Sequence, residues 1–284
     1  MAKTLKDWVE QDVSLVKDKS LAWLSQEFFF RDPTRPNYSD PSYFFSPADG
    51  IVLYQLTVDP DDPIVDIKGK NYSLQDAMRD PTFDQRCLVI GIFMTFFDVH
   101  VNRIPYPGRV SYKQLDEIDT YNYPMLPVEK SILEDLRLDL KRADYLHNNQ
   151  RMLNKVWAPD LGQHYYILQM ADYDVDCILP FQLKQNWPFG QNERFSIVRY
   201  GSQLDLIIPL SDRFDFEPVL PSGMHVEGGL DPLVRVISKK PHPRWSTRPS
   251  PKTAFRPFPG APGPDDASPQ PTRPPAGTEQ EDSQ

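Results

Sequence analysis

The sequence predicts an α+β fold that is mainly β, with a barrel- or sandwich-like β core, an N-terminal helix and a few short helices. Three observations predict it. Between residues 41 and 238, short runs of β-branched and aromatic residues alternate with turn residues, which is typical of strands. Helical periodicity is strongest in the first 29 residues. Hydrophobic residues make up 39% of the 284 residues and aromatic residues 12%, which is enough to build a core.

The N-terminal helix is predicted over residues 5–29. Apolar residues recur there mostly every three or four positions: Leu5, Trp8, Val9, Val13, Val16, Leu21, Leu24 and Phe28. Two Pro-containing pairs at residues 32–33 and 35–36 then break the pattern. Two interpretations are open, a helix packed on the domain or an amphipathic helix at a lipid surface. Its polar face mixes acidic and basic residues, which favours the first.

Strands and two further helices follow along the chain. Short apolar runs bounded by turns predict strands at residues 50–54, 64–67, 88–97 and 165–170. Residues 194–208 are predicted as a hairpin. Residues 73–79 are predicted as a short helix capped by Ser73, and residues 132–142 as another helix.

Composition divides the chain into three predicted parts: an N-terminal helical segment at 1–40, a β-rich domain at 41–238 and a tail at 239–284. Twelve of the 30 prolines lie between Pro241 and Pro275, with almost no aliphatic residues among them. Such a segment cannot bury enough surface to offset its ordering entropy, so we expect a disordered tail. A Pro-rich ligand for a partner domain is the alternative.

Charge and composition exclude several classes of protein. A net charge of -9 argues against nucleic acid as the main partner, because phosphate binding needs a basic surface. No signal-peptide core follows Met1, and the longest apolar run is too short to span a bilayer, so we expect a cytoplasmic protein, soluble or peripheral at a membrane surface. Cys87 and Cys177 lie in apolar runs and are expected as buried thiols, with a disulfide as the alternative. No zinc-type spacing of ligands is present, so no metal site is predicted.

Four short segments carry possible chemistry, although each has a plain structural explanation. Residues 46–50 read Ser-Pro-Ala-Asp-Gly, which is typical of a turn before a strand. Residues 98–103 read Asp-Val-His-Val-Asn-Arg, and this places one histidine among more polar partners than packing requires. Residues 149–151 read Asn-Gln-Arg. Residues 200–202 read Tyr-Gly-Ser before an apolar strand, which a β-bulge also explains.

Together and in this order, these segments resemble the phosphatidylserine decarboxylase family. The family's Lys-Gly-x-x-Tyr-Ser-Leu segment is matched at residues 68–74. Its Asn-Glu-Arg is approximated at 149–151, and its Phe-Gly-Ser has Tyr200 in place of Phe. The matches extend from about residue 28 to residue 236. The wording at 98–103 is similar to the family's shorter subclass.

The resemblance implies that the chain cleaves itself between Gly201 and Ser202. The Ser202 hydroxyl would attack the Gly201 carbonyl, and glycine tolerates the strained backbone that this attack requires. The resulting ester would break by β-elimination, leaving a pyruvoyl cofactor at position 202 and a two-chain heterodimer of residues 1–201 and 202–284. Further oligomerisation stays open. The implied base is His100, oriented by Asp49. Longer members have a second histidine where this chain has Arg103, so the residue that replaces it is open.

The same resemblance implies conversion of phosphatidylserine to phosphatidylethanolamine and CO2 through a Schiff base. The implied partners are therefore a phospholipid substrate and a membrane surface. We expect His100 to donate the proton that returns to carbon. Arg103 and Asn102 are expected to bind substrate, with Arg103 holding a carboxylate or phosphate. The alternative for Arg103 is a structural ion pair with Asp98.

Other functions remain as alternatives. A related decarboxylase acting on a soluble amino acid would use the same chemistry. A non-catalytic relative would stay uncleaved. Residues 223–233 are similar to the hairpin turns of biotinyl and lipoyl carriers, but no lysine lies at a matching hairpin tip. A serine hydrolase is disfavoured because Ser202 is not part of a Gly-x-Ser-x-Gly elbow.

Overall fold

A computed structural model describes residues 1–36, 38–119, 121–172, 177–199 and 202–239. Within these residues the chain forms strands β1 (Lys3–Thr4), β2 (Tyr43–Phe45), β3 (Gly50–Val58), β4 (Val65–Ile67), β5 (Lys70–Tyr72), β6 (Cys87–Met94), β7 (Val101–Arg103), β8 (Gly108–Leu115), β9 (Arg151–Ala158), β10 (Gln163–Ala171), β11 (Ile178–Pro180), β12 (Trp187–Phe189), β13 (Arg194–Val198), β14 (Ser202–Pro209), β15 (Phe214–Pro218), β16 (Met224–Val226) and β17 (Pro232–Ser238).

Nine of these strands form one antiparallel sheet in the order β1-β16-β3-β6-β14-β10-β9-β8-β12. Two three-stranded sheets, β11-β13-β7 and β15-β17-β2, and the hairpin β4-β5 complete the β structure of the described residues. Every residue of β6 and β14 is buried, because both faces of the large sheet are covered. The prediction of a mainly β α+β fold is confirmed. The described sheets do not close into a barrel, and their layering is sandwich-like.

The large sheet has a hydrophobic core on each face. Alternating residues of β6 show the division, since Val89 and Phe93 lie in one core and Ile90 and Ile92 in the other. Short helices and the β4-β5 hairpin cover the first face. The two three-stranded sheets cover the second face.

The N-terminal segment forms two helical runs rather than one helix. The first comprises α1 (Leu5–Trp8), a π-helical turn (Val9–Val13) and α2 (Ser14–Val16), and the second comprises α3 (Leu21–Trp23) and a π-helical turn (Leu24–Phe28). The single helix predicted over 5–29 is wrong because Ser20 has an extended backbone and its hydroxyl caps the second run. Leu5, Trp8 and Val13 are buried against the sheet, as expected for a packed segment.

The remaining helices are α4 (Leu74–Met78), α5 (Leu126–Leu133), a 3-10 turn (Leu140–Arg142) and α6 (Tyr145–Asn148). The predicted Ser73 cap is confirmed, because its hydroxyl accepts the Asp76 amide while the Asp76 carboxylate accepts the Ser73 amide. The helix predicted at 132–142 is wrong. Helix α5 ends at Leu133, and Leu136 has a left-handed φ of 52°, which a continuous helix does not allow.

The hairpin predicted at 194–208 is also wrong. Strand β13 pairs with β11 and β7, whereas β14 pairs with β6 and β10 in the large sheet. Likewise, β16 pairs with β1 and β3, whereas β17 pairs with β15 and β2. Alternation of apolar residues reports which face is buried, but it does not report the neighbouring strand.

The described residues contain no helix that is long and apolar enough to cross a membrane. Cys87 and Cys177 are both buried and are not joined by a disulfide. The predicted tail begins at residue 239, and its residues from 240 onward lie outside the described residues.

Candidate active site

One end of the nine-stranded sheet collects the segments that the sequence singled out. Strand β3 begins at Gly50, β6 ends at Met94, β14 begins at Ser202, and β9 begins at Arg151. Because neighbouring strands are antiparallel, these four positions lie at the same end of the sheet. Ser202 pairs with Met94 on one side and with Ala171 on the other.

Asp49 lies immediately before β3 and is held by a buried ion pair. Both of its carboxylate oxygens accept hydrogen bonds from the Arg35 guanidinium, at 2.6 and 2.7 Å, and the Gly228 amide donates to Oδ1 at 2.7 Å. The pKa of Asp49 is raised, mainly by burial and also by the Asp98 charge, although Arg35 opposes the shift. Gly50 has a φ of +148°, and a Cβ there would lie 2.3 Å from the Phe93 carbonyl oxygen. Position 50, directly after Asp49, therefore requires glycine.

His100 is completely buried at the end of the loop that follows β6. Its Nδ1 lies 3.0 Å from the Asp98 carbonyl oxygen, and its ring packs 4.1 Å from the Phe29 ring. Burial lowers the pKa of His100 to about 4, so the ring is neutral at pH 7. A carbonyl only accepts hydrogen bonds, so Nδ1 carries the proton. The basic lone pair is then on Nε2, which has no hydrogen-bond partner in the described structure.

Ser202 is buried at the start of β14, and its side chain and that of Asn102 both contact the sulfur atom of Met94. Ser202 Oγ lies 3.8 Å from Met94 Sδ, and Asn102 Nδ2 lies 3.4 Å from the same atom. Asn102 Oδ1 accepts from Gln169 Nε2 at 2.6 Å, which fixes the amide. The structure therefore brings Ser202 and Asn102 together. Tyr200 and Gly201, the residues before the predicted cleavage bond, lie outside the described residues.

A buried ion pair that the sequence did not predict lies beside these residues. His225 Nε2 lies 2.7 Å from Asp98 Oδ1, and the His225 ring stacks on Trp8 at 4.5 Å. The other Asp98 oxygen accepts the Thr95 amide and hydroxyl, each at 2.8 Å. Burial alone would lower the pKa of His225, but the Asp98 carboxylate raises it overall. Burial alone would raise the pKa of Asp98, and His225 and Thr95 lower it. The pair therefore favours its ionised form.

Asp98 connects the two histidines. Its carboxylate binds His225, whereas its main-chain carbonyl binds His100. The sequence offered one signal for this arrangement. A carboxylate beside a buried strand needs a partner, and only five histidines are available in the chain.

Arg103 does not pair with Asp98, so that structural alternative is wrong. Its Nη1 donates to the Asn192 carbonyl at 3.0 Å, and its Nη2 lies 3.6 Å from Asp32 Oδ1. Arg103 lines a cavity of about 270 Å³ with Arg194, which also pairs with Asp32. This cavity is lined by neither Asp98 nor His225.

Two of the matched segments have structural roles. Tyr72 is buried, and Ser73 caps α4, so residues 68–74 form the β5 edge and the helix start. Asn149 ties two loops together, since its amide donates to the Tyr123 and Ala171 carbonyls at 2.8 Å. Arg151 is buried and donates to the carbonyls of four surrounding residues, Asp76, Ala77, Leu146 and Asn149.

Asp49, His100 and Ser202 thus lie at one end of the sheet, but no hydrogen bond joins any two of them in the described structure. A main-chain hydrogen bond connects β13 to the loop that contains His100. The Val198 amide, at the end of β13, donates to the His100 carbonyl at 3.1 Å. Among the described residues, no cluster of three His, Cys, Asp or Glu side chains could hold a metal ion.

Comparison with known proteins shows the family of the chain. A family model described as phosphatidylserine decarboxylase matches residues 27–232. A phosphatidylserine decarboxylase proenzyme from Erythrobacter litoralis is 31% identical over 209 residues, which cover 73% of this chain and 72% of the relative. A putative archaetidylserine decarboxylase proenzyme from Methanopyrus kandleri is 26% identical over 211 residues, covering 74% and 81% of the two chains. Another from Methanocaldococcus jannaschii is 30% identical over 183 residues, covering 64% and 77%.

The matched region begins within the second N-terminal helical run and ends at the start of β17. It therefore includes Asp49, His100 and Ser202 at one end of the sheet. It also includes Asp98 and His225. The chain belongs to the phosphatidylserine decarboxylase family and is accordingly a decarboxylase, a lyase.

Proposed function

We propose that the chain is a proenzyme that cleaves itself between Gly201 and Ser202, carries the resulting pyruvoyl group at position 202, and decarboxylates phosphatidylserine to phosphatidylethanolamine and CO2. The observation that supports this most directly is the state of His100. Its Nε2 is a buried lone pair with no hydrogen-bond donor, and the ring is neutral at pH 7. A general base needs this combination, and a packing histidine does not.

In the cleavage step, His100 takes the proton from the Ser202 hydroxyl as Oγ attacks the Gly201 carbonyl carbon. The Gly201–Ser202 C–N bond breaks, the nitrogen of residue 202 takes up a proton, and an ester remains. A base then removes the Cα proton of residue 202, and the Cβ–O bond breaks to release the Gly201 carboxylate. Hydrolysis of the remaining dehydroalanine releases ammonia and leaves a keto group.

The surroundings of Ser202 fit such a keto group. The side chain is completely buried, with Met94 beside it, so bulk water is excluded. Asn102 Nδ2, which donates to the Met94 sulfur within the described residues, could donate a hydrogen bond to an oxygen formed at residue 202. The pyruvoyl group would supply a carbonyl that binds the substrate amine and accepts the electron pair released with CO2. His100 would return the proton to carbon.

Asp49 and Arg103 have supporting roles in the proposal. Asp49 lies one strand from the His100 loop and would place negative charge at this end of the sheet, balanced by Arg35. Arg103 would contact substrate from the neighbouring cavity, where Asp32 and the Asn192 carbonyl already hold its guanidinium.

The names of the relatives indicate the class of substrate. Both names, phosphatidylserine and archaetidylserine decarboxylase, contain the serine headgroup, and they differ in the lipid that carries it. We therefore propose a serine phospholipid as substrate rather than a free amino acid. A lipid substrate requires contact with a membrane surface, and Leu15 and Leu21 of the N-terminal segment are 72% and 73% exposed and available for it.

The test is intact mass and denaturing gel analysis of the full chain, with CO2 release from phosphatidylserine in mixed micelles. We expect two pieces, 1–201 and 202–284, and a carbonyl on the smaller piece that reacts with hydroxylamine. Ser202→Ala and His100→Gln should leave one uncut, inactive chain. Ser131→Ala is the matched control, because Ser131 is a buried serine in α5 that donates to the Val128 carbonyl.

Other outcomes separate the alternatives. A folded wild-type chain that stays uncut contradicts the proposal and favours a non-catalytic relative. A phosphonate that labels Ser202 of an uncut chain would indicate a serine hydrolase. Activity on free amino acids, with none on the phospholipid, would indicate the soluble-substrate decarboxylase.

A further inference from the structure

A cavity of about 320 Å³ opens between the N-terminal segment and the end of the large sheet. Its lining includes apolar side chains, such as those of Trp8, Val16 and Phe28, and charged ones, such as those of Asp49 and Asp98. The volume is at the lower end of that of small-molecule sites, which are about 300 Å³ or larger. A molecule with both a charged and an apolar part would match this mixed lining.

The acidic side chains that line this cavity are each paired with a cation. Asp49 is paired with Arg35, and Asp98 with His225. Asp12 is paired with Lys3, and Glu227 with the amino group of Met1. Four acids therefore already have partners, and they leave one further cation in the lining.

That cation is Arg31. Its guanidinium lies 3.7 Å from the centre of the Phe28 ring. Its Nη1 donates to the Phe28 carbonyl at 2.9 Å and its Nη2 to the Phe97 carbonyl at 2.6 Å, with the Asp98 carbonyl 3.4 Å from Nη1. Within the described structure no carboxylate lies in ion-pair distance of Arg31. Neutral carbonyls therefore orient the positive charge, and the Asp98 and Asp49 carboxylates attract it only from beyond ion-pair distance.

We propose that Arg31 binds the anionic oxygens of the substrate headgroup, either its phosphodiester or its carboxylate, in this cavity. The inference rests on the proposed function, because it takes the serine phospholipid as the ligand. A guanidinium suits either group, since its planar N–H fork matches two oxygens at once. The apolar side chains of the lining would accommodate the part of the lipid next to the headgroup.

The position of the cavity relative to Ser202 supports this assignment. Phe97 and Asp98 follow β6, and β6 is the direct neighbour of β14, which begins at Ser202. Met94, the last residue of β6, pairs with Ser202, and Phe97 and Asp98 follow Met94 by three and four residues, so the cavity lining begins a short loop away from the reacting residue. Arg103 is the weaker candidate for the same role, because Asp32 already lies 3.6 Å from its guanidinium.

The test measures equilibrium binding to the Ser202→Ala chain, which cannot turn over a bound lipid. Detergent micelles with phosphatidylserine or phosphatidylethanolamine are the probes. We expect Arg31→Gln to weaken phosphatidylserine binding by roughly ten- to a hundredfold, the size of a lost charge-assisted hydrogen bond. Equal weakening for phosphatidylethanolamine identifies the phosphodiester as the ligand, and unchanged binding of that lipid identifies the carboxylate.

Arg213→Gln is the matched control. Arg213 also lies over a phenylalanine ring, that of Phe214 at 5.3 Å, and donates to a carbonyl, that of Leu161 at 3.3 Å. It does not line the cavity. This substitution removes the same charge from the protein, so it reports any general attraction to the anionic micelle. It should leave phosphatidylserine binding unchanged.

In the otherwise wild-type enzyme, Arg31→Gln should raise KM for phosphatidylserine by the same factor while the chain is still cut. Arg31→Lys should recover part of the loss. Unchanged phosphatidylserine binding in Arg31→Gln, or an equal loss in Arg213→Gln, would overturn the inference. So would a fall in kcat at constant KM, which indicates that Arg31 only holds the loop. If Arg31-dependent binding occurs but the wild-type chain neither cleaves nor decarboxylates, the proposed function fails while the binding site stands.

Discussion

Self-cleavage should be nearly independent of pH between 5.5 and 7.5 if His100 is its base. The reason is the environment of the ring. Burial lowers the pKa of His100 to about 4, and the nearby Arg31 charge acts in the same direction, whereas Asp98 partly opposes them. The neutral ring is the active form of a base, so its population sets the rate.

The expected difference is large enough to measure. At pH 5.5 a histidine with the ordinary pKa of about 6.5 is only about 10% neutral, whereas one with a pKa of about 4 is about 97% neutral. An unperturbed base would therefore slow cleavage roughly tenfold between pH 7.5 and 5.5, and a buried one by only a few per cent.

In the assay, the chain is made in a short pulse of cell-free translation. Translation is then stopped, and the product is diluted into buffers from pH 5.5 to 7.5. Denaturing gels follow the conversion of the uncut chain to the two pieces. Circular dichroism of the Ser202→Ala chain checks folding, because a lowered histidine pKa contributes stability that is present above pH 6.5 and is lost as the pH falls towards 4. His225→Gln is the control, because His225 also binds Asp98 and its pKa is raised. A tenfold slowing at pH 5.5 in both wild type and His225→Gln would refute the assignment of His100.

Two further predictions concern the stability of the uncut Ser202→Ala chain, measured by denaturant unfolding. Arg35→Met should lower the free energy of unfolding by about 3–5 kcal/mol, because it leaves the Asp49 carboxylate buried without its partner. A loss below about 1 kcal/mol would contradict a buried pair. Asp205→Asn should instead stabilise the chain at pH 7 by on the order of 3 kcal/mol, because burial raises the pKa of Asp205 to about 6. This gain should vanish as the pH falls from 6 to 4, and a gain that persists at pH 4 would show that charge is not its cause.

The sequence predicted those features that are set by local chemistry. Apolar runs between turns located most of the central strands, and Ser73 was identified as a helix cap because capping depends on three neighbouring residues. The resemblance placed Asp49, His100 and Ser202 in one family pattern, and the fold brings them to one end of the sheet.

The features that could not be predicted are set by contacts between distant residues. His225 and Asp98 are 127 positions apart, and the β16-β3 and β3-β6 pairings together bring them into contact. Arg35 lies within the helix-breaking proline segment, which gave no indication that its side chain would bind Asp49. The supposed hairpin at 194–208 failed for a similar reason, since its two strands alternate correctly but belong to different sheets.

The position of the proposed cleavage bond explains how a cut chain could remain folded. The bond lies between β13 and β14, and each strand is held by its own sheet rather than by the other. After cleavage, β14 and β16 of the smaller piece would each remain between two strands of the larger piece. Strand β17 would still pair with β2. These ladders and the two cores would hold the pieces together without the peptide bond, so a free chain end could form at Ser202 while the surrounding strands stay in place.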